Sequence, residues 1–313
     1  MYETYYGLSE RPFELDPDPR YLFLTDRHRE ALGAIAYGIS SQRGITVLLG
    51  DAGTGKTTVI RAALANQPRG ARCVSVNNPT LERAEFIELL AHGFKLSAEA
   101  GQSKGRFLIE LEKRLRDRRA SGLLTALVID EAQCLSFDLL EEVRLLANVE
   151  ADGRRLLPIV LAGTPPLHDR LDEAAMRQLR QRIAMRCSLA PLTLTQTAGY
   201  ITARLERAGG SAPSIFTRDA VALVHEAAAG VPRTISVLCD NALVVGFAAD
   251  ARPVDLAIVR QVCRQLDLAT APATTAAPGA PKTCRVPVTS SAADTLANRA
   301  PVSWVFEPAE TTS

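Results

Sequence analysis

Gly44-Ile45-Thr46-Val47-Leu48-Leu49-Gly50-Asp51-Ala52-Gly53-Thr54-Gly55-Lys56-Thr57-Thr58 is the most informative stretch of this chain. Its apolar run, residues 45–49, predicts a buried parallel strand, and residues 59–65 predict a helix. Between them lies the pattern G-x-x-x-x-G-K-[ST] of a phosphate-binding loop, in the strand–loop–helix setting that such a loop requires. The stretch therefore predicts that the chain binds a nucleoside triphosphate.

Each residue type in this loop suits one part of a triphosphate. Its glycines allow the backbone to turn N–H groups toward phosphate oxygens, and the N-terminus of the following helix adds to the attraction. Lys56 is expected to reach the β- and γ-phosphates, and the hydroxyl of Thr57 is expected to bind Mg²⁺. The candidate nucleotide-binding residues are Gly50, Asp51, Ala52, Gly53, Thr54, Gly55, Lys56, Thr57 and Thr58.

The composition is that of a soluble globular protein. The 313 residues, 47% of them hydrophobic, suffice for one large or two modest domains. Lys and Arg total 36 against 35 Asp and Glu, so net charge gives no general argument for nucleic acid, and only local basic patches remain open. The cysteines form no C-x-x-C pair, and neither a signal peptide nor a transmembrane run is evident. The expected location is therefore cytoplasmic.

A second predicted strand carries acidic residues. The apolar run 123–129 ends in Asp130 and Glu131, and open α/β sheets bind ligands at the carboxyl ends of their strands. Asp130 is predicted to hold Mg²⁺ through a water molecule. Glu131 is predicted to polarise the water that attacks the γ-phosphate. An adjacent glutamate favours hydrolysis over simple retention of the nucleotide.

Three further segments supply candidate site residues. Residues 157–164 predict a strand that ends in Thr164, which either contacts the γ-phosphate or only terminates the strand. Residues 176–186 carry four arginines ahead of a short strand near Cys187. Among these, Arg182 is the candidate for an arginine finger that reaches the nucleotide of a neighbouring subunit, with Arg180 and Arg186 as alternatives. Arg233 follows Gly-Val-Pro in the first turn of a helix, from which it could swing toward bound phosphates.

The chain divides into four predicted parts. Residues 1–26 are expected to lie as an extended strap on the core, with Tyr21 either lining an adenine pocket or simply packing. Residues 27–191 form the nucleotide-binding core, whose first helix has Asp26 as its predicted N-cap. Residues 192–268 predict an all-helical lid, with helices at about 195–208, 217–229, 233–249 and 254–267. The Ala/Pro/Thr-rich tail, 269–313, is expected to be disordered, and its apolar patch 302–306 is either a docking motif or a chance cluster.

In this order the pieces resemble the AAA+ ATPases, and more narrowly the general secretion pathway protein A (ExeA-like) group with its exosortase- and pilus-associated relatives. The resemblance implies an α/β P-loop core with a parallel five-stranded sheet flanked by helices, followed by an all-helical lid and a disordered C-terminal tail. It covers residues 1–267 and rests on Tyr6-Gly7-Leu8, Pro12-Phe13, Pro17-Asp18-Pro19, the loop 50–58, Asn78-Pro79, Asp130-Glu131-Ala132-Gln133, Leu179-Arg180-Gln181-Arg182, Gly230-Val231-Pro232-Arg233 and Val237-Leu238-Cys239-Asp240-Asn241-Ala242-Leu243.

The resemblance implies a homo-oligomer, ring or filament, that hydrolyses ATP with Mg²⁺ to drive assembly or export of envelope or secretion machinery. Two features depart from the family. Many members have Gln where this chain has Thr164, and secretion-pathway members continue into a membrane span and a peptidoglycan-binding domain. Action at the inner membrane would therefore require a membrane-associated secretion or assembly protein as partner.

Two other functions remain open. A nucleic-acid-dependent AAA+ regulator of transposition or replication ranks second, because no winged-helix segment follows the predicted lid and the net charge is near zero. A nucleotide-dependent scaffold that scarcely hydrolyses ATP is the third.

Overall fold

A computed structural model describes residues 1–15, 19–68, 70–77, 80–151 and 153–268 of the chain. Several sequence-based expectations fall outside these described residues. They are the disordered tail 269–313 with its apolar patch, the pair Asn78-Pro79, and Pro17-Asp18 of the N-terminal segment.

A parallel sheet of five strands in the order β2-β3-β6-β1-β7 forms the centre of the core. Its strands are β1 (Ile45–Gly50), β2 (Arg72–Val76), β3 (Thr125–Ile129), β6 (Ile159–Gly163) and β7 (Ile183–Leu189), and β4 (Glu150–Ala151) with β5 (Arg154–Arg155) forms a small antiparallel hairpin. The three inner strands are almost wholly buried, as expected for strands with helices on both faces. The predicted five-stranded α/β core is confirmed, although β7 begins earlier than the short strand expected near Cys187.

Helices flank the sheet, and a helical unit follows it in the chain. After α1 (Tyr2–Tyr6), those of the core are α2 (Asp26–Ser40), α3 (Lys56–Ala65), α4 (Arg83–Gly93), α5 (Ala98–Gln102), α6 (Lys104–Ala120), α7 (Phe137–Leu146), α8 (Pro165–Asp172) and α9 (Arg177–Arg180). The helical unit that follows, called the lid below, contains α10 (Leu194–Arg207), α11 (Ala212–Ile215), α12 (Arg218–Ala227), α13 (Pro232–Ala248) and α14 (Leu256–Gln265). In the described part of the chain, no helix has the length and apolar character needed to cross a bilayer.

The N-cap of α2 differs from the prediction by one residue. Thr25 is the cap, and its hydroxyl accepts a hydrogen bond from the N–H of His28 at 3.4 Å. Asp26 is already the first helical residue. Thr and Asp both favour the N-cap position, so the sequence alone does not distinguish Thr25 from Asp26 as the residue at which the helix begins.

The first residues of the chain pack on the lid, so the predicted extended strap on the core is wrong for this stretch. Tyr2 and Tyr6 lie on α1, which is complete before the first proline, and their rings are buried in the hydrophobic cluster of the lid. The Tyr2 hydroxyl donates to Asp240 at 2.6 Å, and the Tyr6 hydroxyl donates to the carbonyl of Ala251 at 3.0 Å. Burial of aromatic surface therefore decides the position of this segment.

Candidate nucleotide-binding site

The phosphate-binding loop lies at the carboxyl end of β1 and leads into α3. Gly53 and Gly55 adopt φ angles of +81° and +98°, in the left-handed region that side chains other than glycine rarely occupy. The buried ammonium of Lys56 donates to the carbonyls of Gly50 and Asp51, at 2.9 and 3.1 Å. The lysine is thus held inside the loop, at the carboxyl ends of the strands, where open α/β folds bind ligands.

Thr57 and Asp130 meet beside the loop. The Thr57 hydroxyl donates to the Asp130 carboxylate at 2.6 Å, and the second oxygen of Asp130 accepts the backbone N–H of Glu131 at 3.0 Å. Mg²⁺ in nucleotide sites is usually held by one or two such oxygen ligands together with substrate phosphates. Among the described residues there is no cluster of three His, Cys, Asp or Glu that could enclose a metal on its own. The pair therefore fits a metal shared with a triphosphate.

Glu131 and Thr164 are connected through the side chain of Gln133, for which the sequence offered no specific signal beyond its place after Asp130-Glu131-Ala132. The Glu131 carboxylate accepts a hydrogen bond from the side-chain amide of Gln133 at 2.5 Å. The amide oxygen of Gln133 in turn accepts the backbone N–H of Thr164 at 3.1 Å. Thr164 follows β6, which lies between β3 and β1, but its side chain is not part of the cavity wall. Contact of Thr164 with the γ-phosphate stays a prediction.

A cavity of about 440 Å³ opens between the loop and the lid. This volume lies in the range of small-molecule sites. Its wall contains loop residues 52–58 and Glu131 from the core, Tyr21, Leu22 and Phe23 from the N-terminal segment, and Tyr200, Arg204 and Arg233 from the lid. The N–H of Arg233 donates to the carbonyl of Gly53 at 3.3 Å, which places this arginine directly against the loop.

The end of the cavity formed by the N-terminal segment and the lid is aromatic. The guanidinium of Arg204 lies 5.3 Å from the ring centre of Tyr21 and 5.0 Å from that of Tyr200. Burial and the hydrogen bond to Glu10 raise the pKa of Tyr21 to about 12, so its hydroxyl stays protonated at neutral pH. Stacked planar groups beside the loop suit a nucleobase, and Tyr21 stays the candidate for the adenine contact.

His28 is a site residue for which the sequence offered no specific signal. Its ring is buried, with Nε2 3.1 Å from the carbonyl of Thr54 in the loop and Nδ1 2.6 Å from the hydroxyl of Thr25. Because a carbonyl can only accept, Nε2 carries the proton in this arrangement. Burial lowers the pKa of His28 below its usual value, which favours the neutral ring. The histidine thereby fixes α2 to the phosphate-binding loop.

Arg182 lies near the amino-terminal ends of the strands, whereas the loop lies at their carboxyl-terminal ends. Its carbonyl accepts the N–H of Ile45, the first residue of β1, at 3.1 Å, which puts it roughly 16 Å along the strand from the loop. The alternatives Arg180 and Arg186 both lie near Asp172, with guanidinium–carboxylate distances of 3.7 and 3.3 Å. Within the described residues, the guanidinium of Arg182 makes no hydrogen bond or ion pair.

The chain resembles known proteins both in sequence and in fold. The AAA domain family matches residues 39–171. General secretion pathway protein A of Aeromonas hydrophila is 37% identical over 248 residues, which are 79% of this chain and 45% of that protein. The chain thus spans about half the length of this curated relative.

Solved structures share the fold at low identity. The ORC2 protein of Aeropyrum pernix superposes with a TM-score of 0.60 at 16% identity, covering 82% of this chain and 72% of that one. The Holliday junction branch migration motor RuvB of Thermotoga maritima gives 0.53 at 16% identity, with 83% and 74% covered. Drosophila ORC, in a structure bound to DNA, gives 0.60 at 20% identity, with 82% and 65% covered. The chain thus contains an AAA domain and is similar, over 79% of its length, to general secretion pathway protein A.

Proposed function

We propose that this protein hydrolyses ATP to ADP and phosphate, with Mg²⁺ as the cofactor. One observation carries the proposal. The Thr57 hydroxyl donates to the Asp130 carboxylate at 2.6 Å, and the next residue in the sequence, Glu131, is part of the cavity wall. This arrangement supports a metal site and a candidate base beside the same loop. Mg²⁺, when bound, would neutralise charge on the phosphates during transfer.

The residues around the cavity have separable roles in this proposal. Lys56 binds the β- and γ-phosphates, and the loop N–H groups surround them. Glu131 accepts a proton from the attacking water. Arg233, held against Gly53 by its own N–H, brings a positive charge from the lid to the phosphates. Tyr21 lies at the aromatic end of the cavity and contacts the base.

Hydrolysis on this proposal requires a second copy of the chain. Arg182 is too far from its own loop to reach a phosphate bound there, since it precedes β7, at the end of the strands opposite to the loop. In a ring or filament, this end of the core can face the nucleotide of the adjacent subunit. Its unpaired guanidinium supports Arg182 over Arg180 and Arg186, whose charges lie close to Asp172.

The process served by hydrolysis is proposed to be assembly or export of envelope or secretion machinery. The support is 37% identity to general secretion pathway protein A over 79% of this chain. The partners would be membrane-associated secretion or assembly proteins. They would bring a cytoplasmic ATPase to the inner membrane as a peripheral subunit.

Replacing Lys56 with Ala should abolish tight ATP binding, because the charge inside the loop is lost. The measurement is titration of ATP with Mg²⁺ by calorimetry, with Lys113→Ala as control, since Lys113 is an exposed lysine of α6. The control should bind as the unmodified chain does. Wild-type affinity in the folded Lys56→Ala variant would refute the assignment of the loop.

A specific observation favours the second candidate, a nucleic-acid-dependent regulator of transposition or replication. Four arginines, Arg43, Arg154, Arg155 and Arg182, lie near the amino-terminal ends of the parallel strands. A Cβ added to Gly44 would lie 3.0 Å from the Arg182 carbonyl and against the Arg155 guanidinium. That guanidinium donates to the Arg43 carbonyl. Arg154 precedes Arg155 in β5. In the described ranges, no carboxylate pairs with any of these four. Duplex DNA titrated at two salt concentrations tests this candidate, because DNA-stimulated hydrolysis with a steep salt dependence would favour it.

A further inference from the structure

Gln133 joins two strands of the sheet through both ends of its side-chain amide. Nε2 donates to Oε2 of Glu131 at 2.5 Å, and Oε1 accepts the backbone N–H of Thr164 at 3.1 Å. Rotating the amide by half a turn would set an acceptor against the carboxylate and a donor against the N–H. Only one orientation of the amide therefore satisfies both contacts.

The position of Gln133 is itself fixed by the surrounding backbone. It lies in a short 3₁₀ turn, Ala132–Cys134, after β3. Arg170 of α8 donates to the carbonyls of Gln133 and Leu135, at 2.8 and 2.6 Å. A Cβ added to Gly163 would lie 2.8 Å from Oε1 of Gln133, so a glycine at the end of β6 leaves the room that the amide occupies.

The backbone of Glu131 adopts an unusual conformation next to this bridge. Its φ is +54°, a left-handed conformation that residues other than glycine adopt at a cost. Glu131 is part of the cavity wall. A base aimed at a water molecule loses activity when its orientation is not maintained.

We propose that Gln133 is a positioning residue for hydrolysis, which holds Oε2 of Glu131 so that Oε1 faces the attacking water. This proposal rests on the proposed ATPase activity. It also couples the orientation of Glu131 to the end of β6, where Thr164 begins the connection to α8. The contact uses the backbone N–H of Thr164, so it should persist when the Thr164 side chain is changed.

The test is Gln133→Met in the full-length chain, because methionine has similar length and lacks both the donor and the acceptor. The kcat for ATP should fall about 10–100-fold, as is typical when a supporting hydrogen bond to a functional group is removed. KM and the Kd for ATP should stay within twofold. In a Glu131→Gln background, single-turnover hydrolysis should show no further loss, since Gln133 acts through the carboxylate.

Gln196→Met is the matched control. The Oε1 of Gln196 also accepts a backbone N–H, from Thr193 at 3.0 Å, but its side chain is not part of the cavity wall. Its kcat should remain near that of the unmodified chain. If Gln133→Met does not fold, Gln133→Asn serves instead, because its shorter side chain cannot span both contacts and should also lower kcat.

Two results would overturn the inference: a kcat within twofold of, or above, that of the unmodified chain, or an equal loss in the Glu131→Gln background. The latter would show that the substitution acts through the general structure of the site. Absence of turnover by the unmodified chain is a different outcome, and it would refute the proposed ATPase activity itself.

Discussion

Glu131→Gln should bind ATP with Mg²⁺ as tightly as the unmodified chain and hydrolyse it about 10²–10⁴-fold more slowly, the usual loss when a general base is removed. The amide keeps the shape of the carboxylate but cannot accept the proton of the attacking water. Binding should survive because the residues proposed to hold phosphate and metal, Lys56, Thr57 and Asp130, are unchanged. Their mutual contacts do not involve the side chain of Glu131.

The measurements are kcat in a phosphate-release assay and the Kd of ATP by calorimetry. Glu112→Gln is the control, because it also converts a carboxylate to an amide, but on the exposed face of α6, where Glu112 pairs with Arg116. It should leave both constants unchanged. Turnover of Glu131→Gln within a factor of two of the unmodified chain would reassign Glu131 to a structural role.

Arg182→Ala should bind ATP normally and hydrolyse it poorly, with a loss of about 10³–10⁵-fold if the residue acts as an arginine finger. The physical reason is geometric. Arg182 lies near the amino-terminal ends of the parallel strands, and the loop lies at their carboxyl-terminal ends. A guanidinium in that position can stabilise charge only on the phosphates of another subunit.

Mixing experiments separate this role from a structural one. Arg182→Ala mixed with Glu131→Gln should recover activity, because some interfaces then combine an intact Glu131 with an intact Arg182. Arg116→Ala, which removes an exposed arginine of α6, is the control and should not need rescue. Arg180→Ala and Arg186→Ala test the neighbouring positions. Concentration-independent turnover by a strictly monomeric chain, with no rescue on mixing, would contradict the assignment.

The sequence by itself determined the fold class and the phosphate-binding loop. A strand, a glycine-rich turn and a helix follow one another without interruption from Ile45 to Ala65, so their hydrophobic pattern and loop chemistry are readable locally. The second buried strand with Asp130 at its end was also legible, because a run of apolar residues closed by two acids is a local feature. The lid helices were predicted to within a few residues, apart from the short α11, for the same reason.

Only the tertiary structure decided which distant residues meet. The bridge through Gln133 requires β6 to lie directly beside β3, and the contact of His28 with Thr54 requires α2 to pack against the loop. Likewise, Tyr2 and Tyr6 lie on the lid, where their rings are buried in its hydrophobic cluster. Such contacts depend on strand order and on long-range packing. Local periodicity reports which face of an element is apolar, but not which element covers that face.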